Sequence, residues 1–230
     1  MSTAMRAATI SVVLPVRNGG TMLGDAIDSV HAQTTPAHEV VVVDGRSEDD
    51  SAAVARAHGA RVVEQRGPTL ADAYNTGVAE ASGSHVAFLS HDDIWLPHKL
   101  ELQLAVLEAR PDVDAVMGLA RFELAAGHTA PPGFRTELLT GTHPTPITEA
   151  LLLPRSTWDR VGLFRPDMTP SSDSDWLARF RDLGLVMAPL DEVVLLKRIT
   201  SVSTSHVDPA GPATLLRALR ESVLRKQGRA

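Results

Sequence analysis

The chain has 230 residues, 43% of them apolar, with 22 basic and 28 acidic side chains and a formal net charge of −6. That length suits one α/β domain with a real core, and the acidic balance argues against a general nucleic-acid binder, which needs a basic face. Cysteine is absent, which excludes disulfides, thiolate metal sites and a thiol nucleophile and fits a reducing compartment. No apolar stretch approaches the roughly eighteen residues of a membrane span, and Met1 to Arg6 lack the apolar core of a signal peptide. A cytoplasmic location is expected, with peripheral membrane contact left open.

The first half alternates strand-like and helix-like runs. Ile10 to Leu14 reads as a strand, Met22 to His31 as a helix, Glu39 to Asp44 as a strand and Asp49 to His58 as an Ala-rich helix. Arg61 to Glu64 is a short strand, and Leu70, Tyr74 and Val78 share a helix face at i, i+4, i+8. The apolar run His85 to Leu89 predicts another strand, Pro97 opens a helix that runs to about Arg110, and Asp112 to Met117 predicts a strand. Alternation of this kind implies parallel pairing in a doubly wound sheet, and Val runs without polar interruption suit strands buried on both faces. In the second half, Ala126 to Pro146 carries Pro131, Pro132, Gly133, Gly141, Pro144 and Pro146 and reads as a loop. Ile147 to Leu153 and Ser156 to Val161 read as short helices, Asp173 to Leu183 as an amphipathic helix and Glu192 to Leu196 as a strand. Ala213 to Gln227 predicts a basic amphipathic helix with Leu215, Leu216, Leu219, Val223 and Leu224, docked on its own domain or on a second subunit.

Polar residues stand where each early strand ends: Arg17 and Asn18, then Asp44 to Ser47, then Ser90 to Asp93. The carboxyl ends of parallel strands line one edge of an open sheet, where ligands bind, so Arg17, Asp44 and Asp92 should converge. The adjacent carboxylates Asp92 and Asp93 repel each other unless a divalent cation, or a cation holding phosphates, lies between them. Asp93 alternatively caps the following helix. His91 is a candidate phosphate contact. Arg46, Arg66 and Arg198 are candidates for offsetting a diphosphate or for surface ion pairs. Trp95 and Trp176 read as core or cleft wall rather than sugar platforms. There is no G-x-x-x-x-G-K-[ST], no G-x-G-x-x-G and no G-x-S-x-G, so a P-loop, a dinucleotide site and a hydrolase elbow are not expected.

Five segments in this order resemble the family 2 glycosyltransferases of the GT-A fold: Pro15-Val-Arg-Asn18, Val41-Val-Val-Asp44-Gly-Arg-Ser47-Glu-Asp49, Ala71-Asp-Ala-Tyr-Asn75-Thr-Gly77, Ala81-Ser-Gly83 and Phe88-Leu-Ser-His-Asp92-Asp93-Ile-Trp95-Leu-Pro97. A looser match continues through Leu152 to Arg155, Val161 to Phe164, Ser172 to Trp176 and Lys197-Arg198. The resemblance implies a Rossmann-like, mostly parallel sheet. It divides into a nucleotide-sugar-binding half over about 8–117, an acceptor-side half over about 118–208 and a C-terminal helix over about 209–230. It implies an inverting transfer of a sugar from a nucleotide diphosphate donor, with UDP the favoured nucleotide and the acceptor unassigned. By matched position, Pro15 and Arg17 line the nucleoside pocket, Asp44 accepts from uracil or ribose, and Asp72 and Asn75 face the nucleotide. Asp92 holds Mg²⁺ or Mn²⁺ across the two phosphates, and Asp173 is the general base. Asp173 opens a helix, whose positive end is expected to hold its pKa low. Asp175 is the rival base.

Three positions depart from the family pattern. Ser90 stands where the metal motif usually begins with Asp, Ser172 where an acidic pair usually begins with Glu, and Thr200 where a His often follows the last strand, with His206 six residues on. Two other functions compete: a non-catalytic nucleotide-binding homologue, and a sugar nucleotidyltransferase, for which Gly19-Gly20 after Arg17-Asn18 is a thin triphosphate loop. A homodimer through the C-terminal helix is also expected from its apolar row.

Overall fold

The computed structural model describes residues 8–144, 146–201 and 211–228. In chain order the strands and helices of the first half are β1 (Ile10–Val16), α1 (Met22–His31), β2 (Glu39–Asp44), α2 (Ser51–Ala57), β3 (Arg61–Glu64), α3 (Leu70–Glu80) and β4 (His85–Phe88). They are followed by β5 (Ile94–Trp95), α4 (Lys99–Ala109), β6 (Ala115–Leu124), β7 (Leu151–Pro154), α5 (Arg155–Val161), α6 (Ser172–Asp182), β8 (Met187–Ile199) and α7 (Gly211–Lys226). One sheet runs in the order β3-β2-β1-β4-β7-β6-β8-β5. Strands β1 to β4 pair in parallel, β7 runs antiparallel to both β4 and β6, and β6 is parallel to β8.

The Val-rich strands are buried on both faces, as their lack of alternation predicts. Val12, Leu14, Val40 and Val42 pack with Leu23, Ile27 and Leu100 on one side of the sheet. Val13, Val41, Val43 and Phe88 pack on the other with Tyr74, Trp158, Phe164, Trp176 and Phe180. Both Trp95 and Trp176 are core residues, 2% and 0% exposed, which removes them as sugar platforms. Leu70 departs from the expected buried helix face: it is 53% exposed, because the first turn of α3 opens onto a cleft while Tyr74 and Val78 turn inward.

The expected helix over Ile147 to Leu153 is absent. A single 3-10 turn at Thr148–Ala150 leads directly into β7. A short helix would bury one stripe, whereas the slot between β4 and β6 buries both faces of a strand. Leu152 enters one core cluster and Leu151 and Leu153 the other, and the sheet satisfies their backbone groups. Helix α7 docks on its own domain. Glu221 pairs with Arg165, Arg225 and Ser222 both bond Asp182 at 2.8 Å, and Ala218 is buried. Its row Leu215, Leu216, Leu219 and Val223 stays exposed. Among the described residues, no helix is long and apolar enough to cross a membrane.

Candidate functional site

The carboxyl ends of β1, β2 and β4 border a cleft of about 630 Å³. Pro15, Arg17, Ser90, His91 and Asp92 line it, together with Glu149, Lys197 and Arg198 from the second half. Two strand-end loops are stitched together at its mouth. The backbone N–H of Asn18 donates to Ser47 Oγ (3.0 Å), that of Gly19 to Ser51 Oγ (2.8 Å) and that of Gly20 to Asp49 Oδ2 (3.1 Å). Asn18 Oδ1 in turn accepts from the Glu48 N–H at 2.8 Å. Gly19 is required because a Cβ there would lie 2.6 Å from Val16 and against the His91 ring.

The sequence-derived candidates divide. Pro15, Arg17, His91 and Asp92 share the cleft. Arg17 is exposed and its side chain has no ion-pair or hydrogen-bond partner among the described residues, so its charge is available at the strand end. The Asp92 carboxylate likewise has no such partner among them. Burial draws the His91 pKa down, against the pull of Asp92, so the ring is neutral at neutral pH and can accept as well as donate.

The other donor-side candidates also make contacts within the fold. Asp44 Oδ1 accepts from the Ser47 N–H (3.1 Å) and Oγ (2.6 Å), closing the turn behind the cleft residues Gly45 and Arg46. Asp72 forms a capping box with Thr69 at the start of α3. Asn75 is not turned to the cleft: its Nδ2 donates to Phe164 O at 2.8 Å and its Oδ1 accepts from the Phe164 N–H at 2.9 Å. Both ends of that amide clamp α3 to the segment after α5, so the expectation that it faces a nucleotide does not fit its contacts.

Asp93 is no helix cap. It is fully buried, takes Lys197 Nζ at 2.6 Å and accepts from the Arg198 N–H at 3.1 Å. Burial pushes its pKa up, yet both oxygens receive donors and neither meets an acceptor, so the ionised form fits the geometry. Lys197 also reaches Glu149 Oε1 at 3.2 Å. Burial disfavours its charge, but Asp93 and Glu149 outweigh burial and raise its pKa. Ser90, which replaces the usual Asp, donates to Glu149 Oε1 at 2.7 Å. Arg198 ties the segment down: its Nε donates to Asp92 O, Nη1 to Asp25 Oδ2 at 3.0 Å and Nη2 to Met22 O at 3.2 Å. Arg46 lines the cleft with a side chain 78% exposed, whereas Arg66 pairs with Glu80 outside it.

Asp173 and Asp175 have different surroundings. Asp175 is fully buried and held by Arg179 Nε at 2.9 Å, and Arg179 also caps the Val161 and Leu163 carbonyls at the end of α5. It is a structural group. Asp173 is partly exposed, and its pKa is raised, chiefly by burial, with the charge of Glu149 adding to the rise. The expectation of a lowered value is therefore corrected. A helix end contributes only about 0.3–1 kcal/mol at exposed sites, and desolvation outweighs it. His206 lies outside the described residues. Sequence reasoning gave no role to Glu149 and only a loose motif to Lys197. The adjacent cations Lys197-Arg198, a pair that a late strand needs a reason to carry, were the available signal.

The model of the family described as Glycosyl transferase family 2 matches residues 11–165. A glycosyltransferase of Rickettsia prowazekii, itself uncharacterized, is 26% identical over 212 residues, which cover 86% of this chain and 66% of that protein. The chain thus spans just under two thirds of that relative. Among solved structures, Staphylococcus aureus TarS 1–349 in complex with UDP-GlcNAc superposes with a TM-score of 0.71 at 17% identity, covering 94% of this chain and 66% of that one. Glucosyl-3-phosphoglycerate synthase from Mycobacterium tuberculosis in complex with Mg²⁺ and UDP gives 0.67 at 22% identity, covering 94% and 79%. These likenesses show the GT-A fold, and the match over 11–165 shows that the chain belongs to glycosyl transferase family 2.

Proposed function

We propose that this chain transfers a sugar from a UDP-sugar donor to an acceptor hydroxyl with inversion, using Asp173 as general base and a divalent cation at Asp92. The observation that carries this reading is the Asp92 carboxylate at the β4 end, unpartnered among the described residues, in one cleft with Pro15, Arg17 and His91. The named complexes of the two structural neighbours, with UDP-GlcNAc and with UDP and Mg²⁺, support the donor class. The site also suits the cation. No group of three or more His, Asp or Glu among the described residues is placed to hold a metal alone. One carboxylate plus diphosphate oxygens and waters is the usual way Mg²⁺ is bound. When bound, the cation neutralises charge on the departing diphosphate. Arg17 adds positive charge at the same edge, and neutral His91 can donate to a phosphate oxygen. The raised pKa of Asp173 makes its carboxylate a better proton acceptor from an alcohol than an ordinary carboxylate. Direct inversion needs no protein nucleophile, and the chain has no Cys.

Release of nucleoside diphosphate from a panel of nucleotide sugars, with and without Mn²⁺, tests the reading. Metal-dependent release supports a transferase. Binding without turnover over a broad acceptor set would replace it with a non-catalytic nucleotide binder, and pyrophosphate formation from a nucleoside triphosphate with a nucleotidyltransferase.

A further inference from the structure

Glu149 is a charged residue in a place where charge is expensive. Its side chain is 10% exposed, yet it borders the cleft. Burial opposes its ionisation, but Lys197 and the Ser90 hydroxyl outweigh burial and keep the pKa low. Its backbone is gripped as well. Trp95 Nε1 donates to Glu149 O at 3.0 Å, Gln103 Nε2 to Ala150 O at 2.8 Å and Lys99 Nζ to Leu151 O at 3.1 Å. Three successive carbonyls are therefore held by three buried side chains. Lys99, 1% exposed, sits 4.3 Å over the Trp95 ring with no carboxylate partner among the described residues. Locking a side chain through rigid neighbours is what a binding group requires.

The position of Glu149 is equally informative. On one side its carboxylate meets Ser90, two residues before Asp92. On the other it meets Lys197 Nζ at 3.2 Å. It therefore lies in the same cleft as Asp92, beside the diphosphate end of the proposed site, where a transferred sugar would sit. The Ser90 hydroxyl and Lys197 Nζ both donate to Oε1, while Thr148 Oγ1 approaches Oε2 at the longer distance of 3.4 Å. Acceptor capacity remains. A cation is a poor occupant, because Lys197 already stands 3.2 Å away and no metal-holding group of acids is present among the described residues. A hydroxyl donor fits.

We propose that Glu149 binds the donor sugar, its carboxylate accepting hydrogen bonds from hydroxyls of the transferred hexose, and so sets which nucleotide sugar is used. The proposal rests on the glycosyltransferase reading above. The test compares UDP with a panel of UDP-hexoses by calorimetry, with Mn²⁺ present, in the wild type and in Glu149→Gln. The quantity read is the affinity that the sugar adds to UDP. Losing a charge-assisted hydrogen bond should cut this increment about tenfold or more while UDP alone changes less than about threefold. Equal weakening of UDP and UDP-sugar overturns the proposal. If the Gln variant fails to fold, Glu149→Asp keeps the charge beside Lys197 and withdraws it by one methylene, and an unchanged increment there overturns the proposal. A wild type that binds UDP with no gain from any sugar overturns this proposal alone. A wild type that binds no nucleotide overturns the glycosyltransferase reading and this one with it.

Discussion

Replacing Lys197 with Met would leave Asp93 and Glu149 facing each other without their shared cation. The lysine lies 2.6 Å from one carboxylate and 3.2 Å from the other, with side-chain exposures of 17%, 0% and 10% for Lys197, Asp93 and Glu149. Breaking such a buried pair from one side costs about 3–5 kcal/mol, because the remaining charge is uncompensated. The variant has one escape, which is to protonate Asp93. At pH 7 this costs about 1.36 × (7 − 3.9), or about 4 kcal/mol, and at pH 5 about 1.5 kcal/mol. The sign follows. In the variant the folded Asp93 pKa is raised further above its unfolded value, so stability is retained in acid and lost as pH rises. Urea unfolding of wild type and Lys197→Met at pH 5 and pH 7 reads the difference directly. The double variant Lys197→Met/Asp93→Asn, in which Ser90 still holds Glu149, should be more stable than Lys197→Met alone. A loss below about 1 kcal/mol at pH 7, or a double variant as unstable as the summed singles, would refute the account of this cluster.

Asp92→Asn should abolish the metal dependence of UDP binding while leaving the thermal midpoint nearly unchanged, since the carboxylate has no partner among the described residues; calorimetry with and without Mn²⁺ decides. Asp173→Asn should lower turnover by about a hundredfold or more with donor affinity nearly intact. Because the folded pKa of Asp173 is raised, its ionisation favours unfolding. The Asn variant should therefore match wild type below about pH 4, near the unfolded pKa, and become the more stable of the two as pH rises. Thermal midpoints across pH test this, and a stability gain independent of pH would refute it. Asn75→Ala should lose about 1–3 kcal/mol, because two backbone groups of Phe164 go unpaired, and leave the UDP dissociation constant unchanged. A selective loss of UDP affinity would return Asn75 to the nucleotide site.

The local rules were enough for the first half. Uninterrupted Val runs, helix periods and polar strand ends specified parallel strands and the edge on which Arg17 and Asp92 meet, because each depends on residues close in sequence. The helix expected over Ile147 to Leu153 failed for the opposite reason. An apolar run of that length suits either state, and only the open slot between β4 and β6, made by residues far away in sequence, made it a strand. Site residues divide the same way. Asp92 was readable from its own neighbours. The backbone clamp that occupies Asn75 and the Ser90–Glu149–Lys197–Asp93 chain join residues 48 to 104 positions apart. Even Asp173 carried its expected charge state only until packing was known. Its place at a helix start is local and favours a low pKa, but its burial is tertiary, and desolvation is the larger effect.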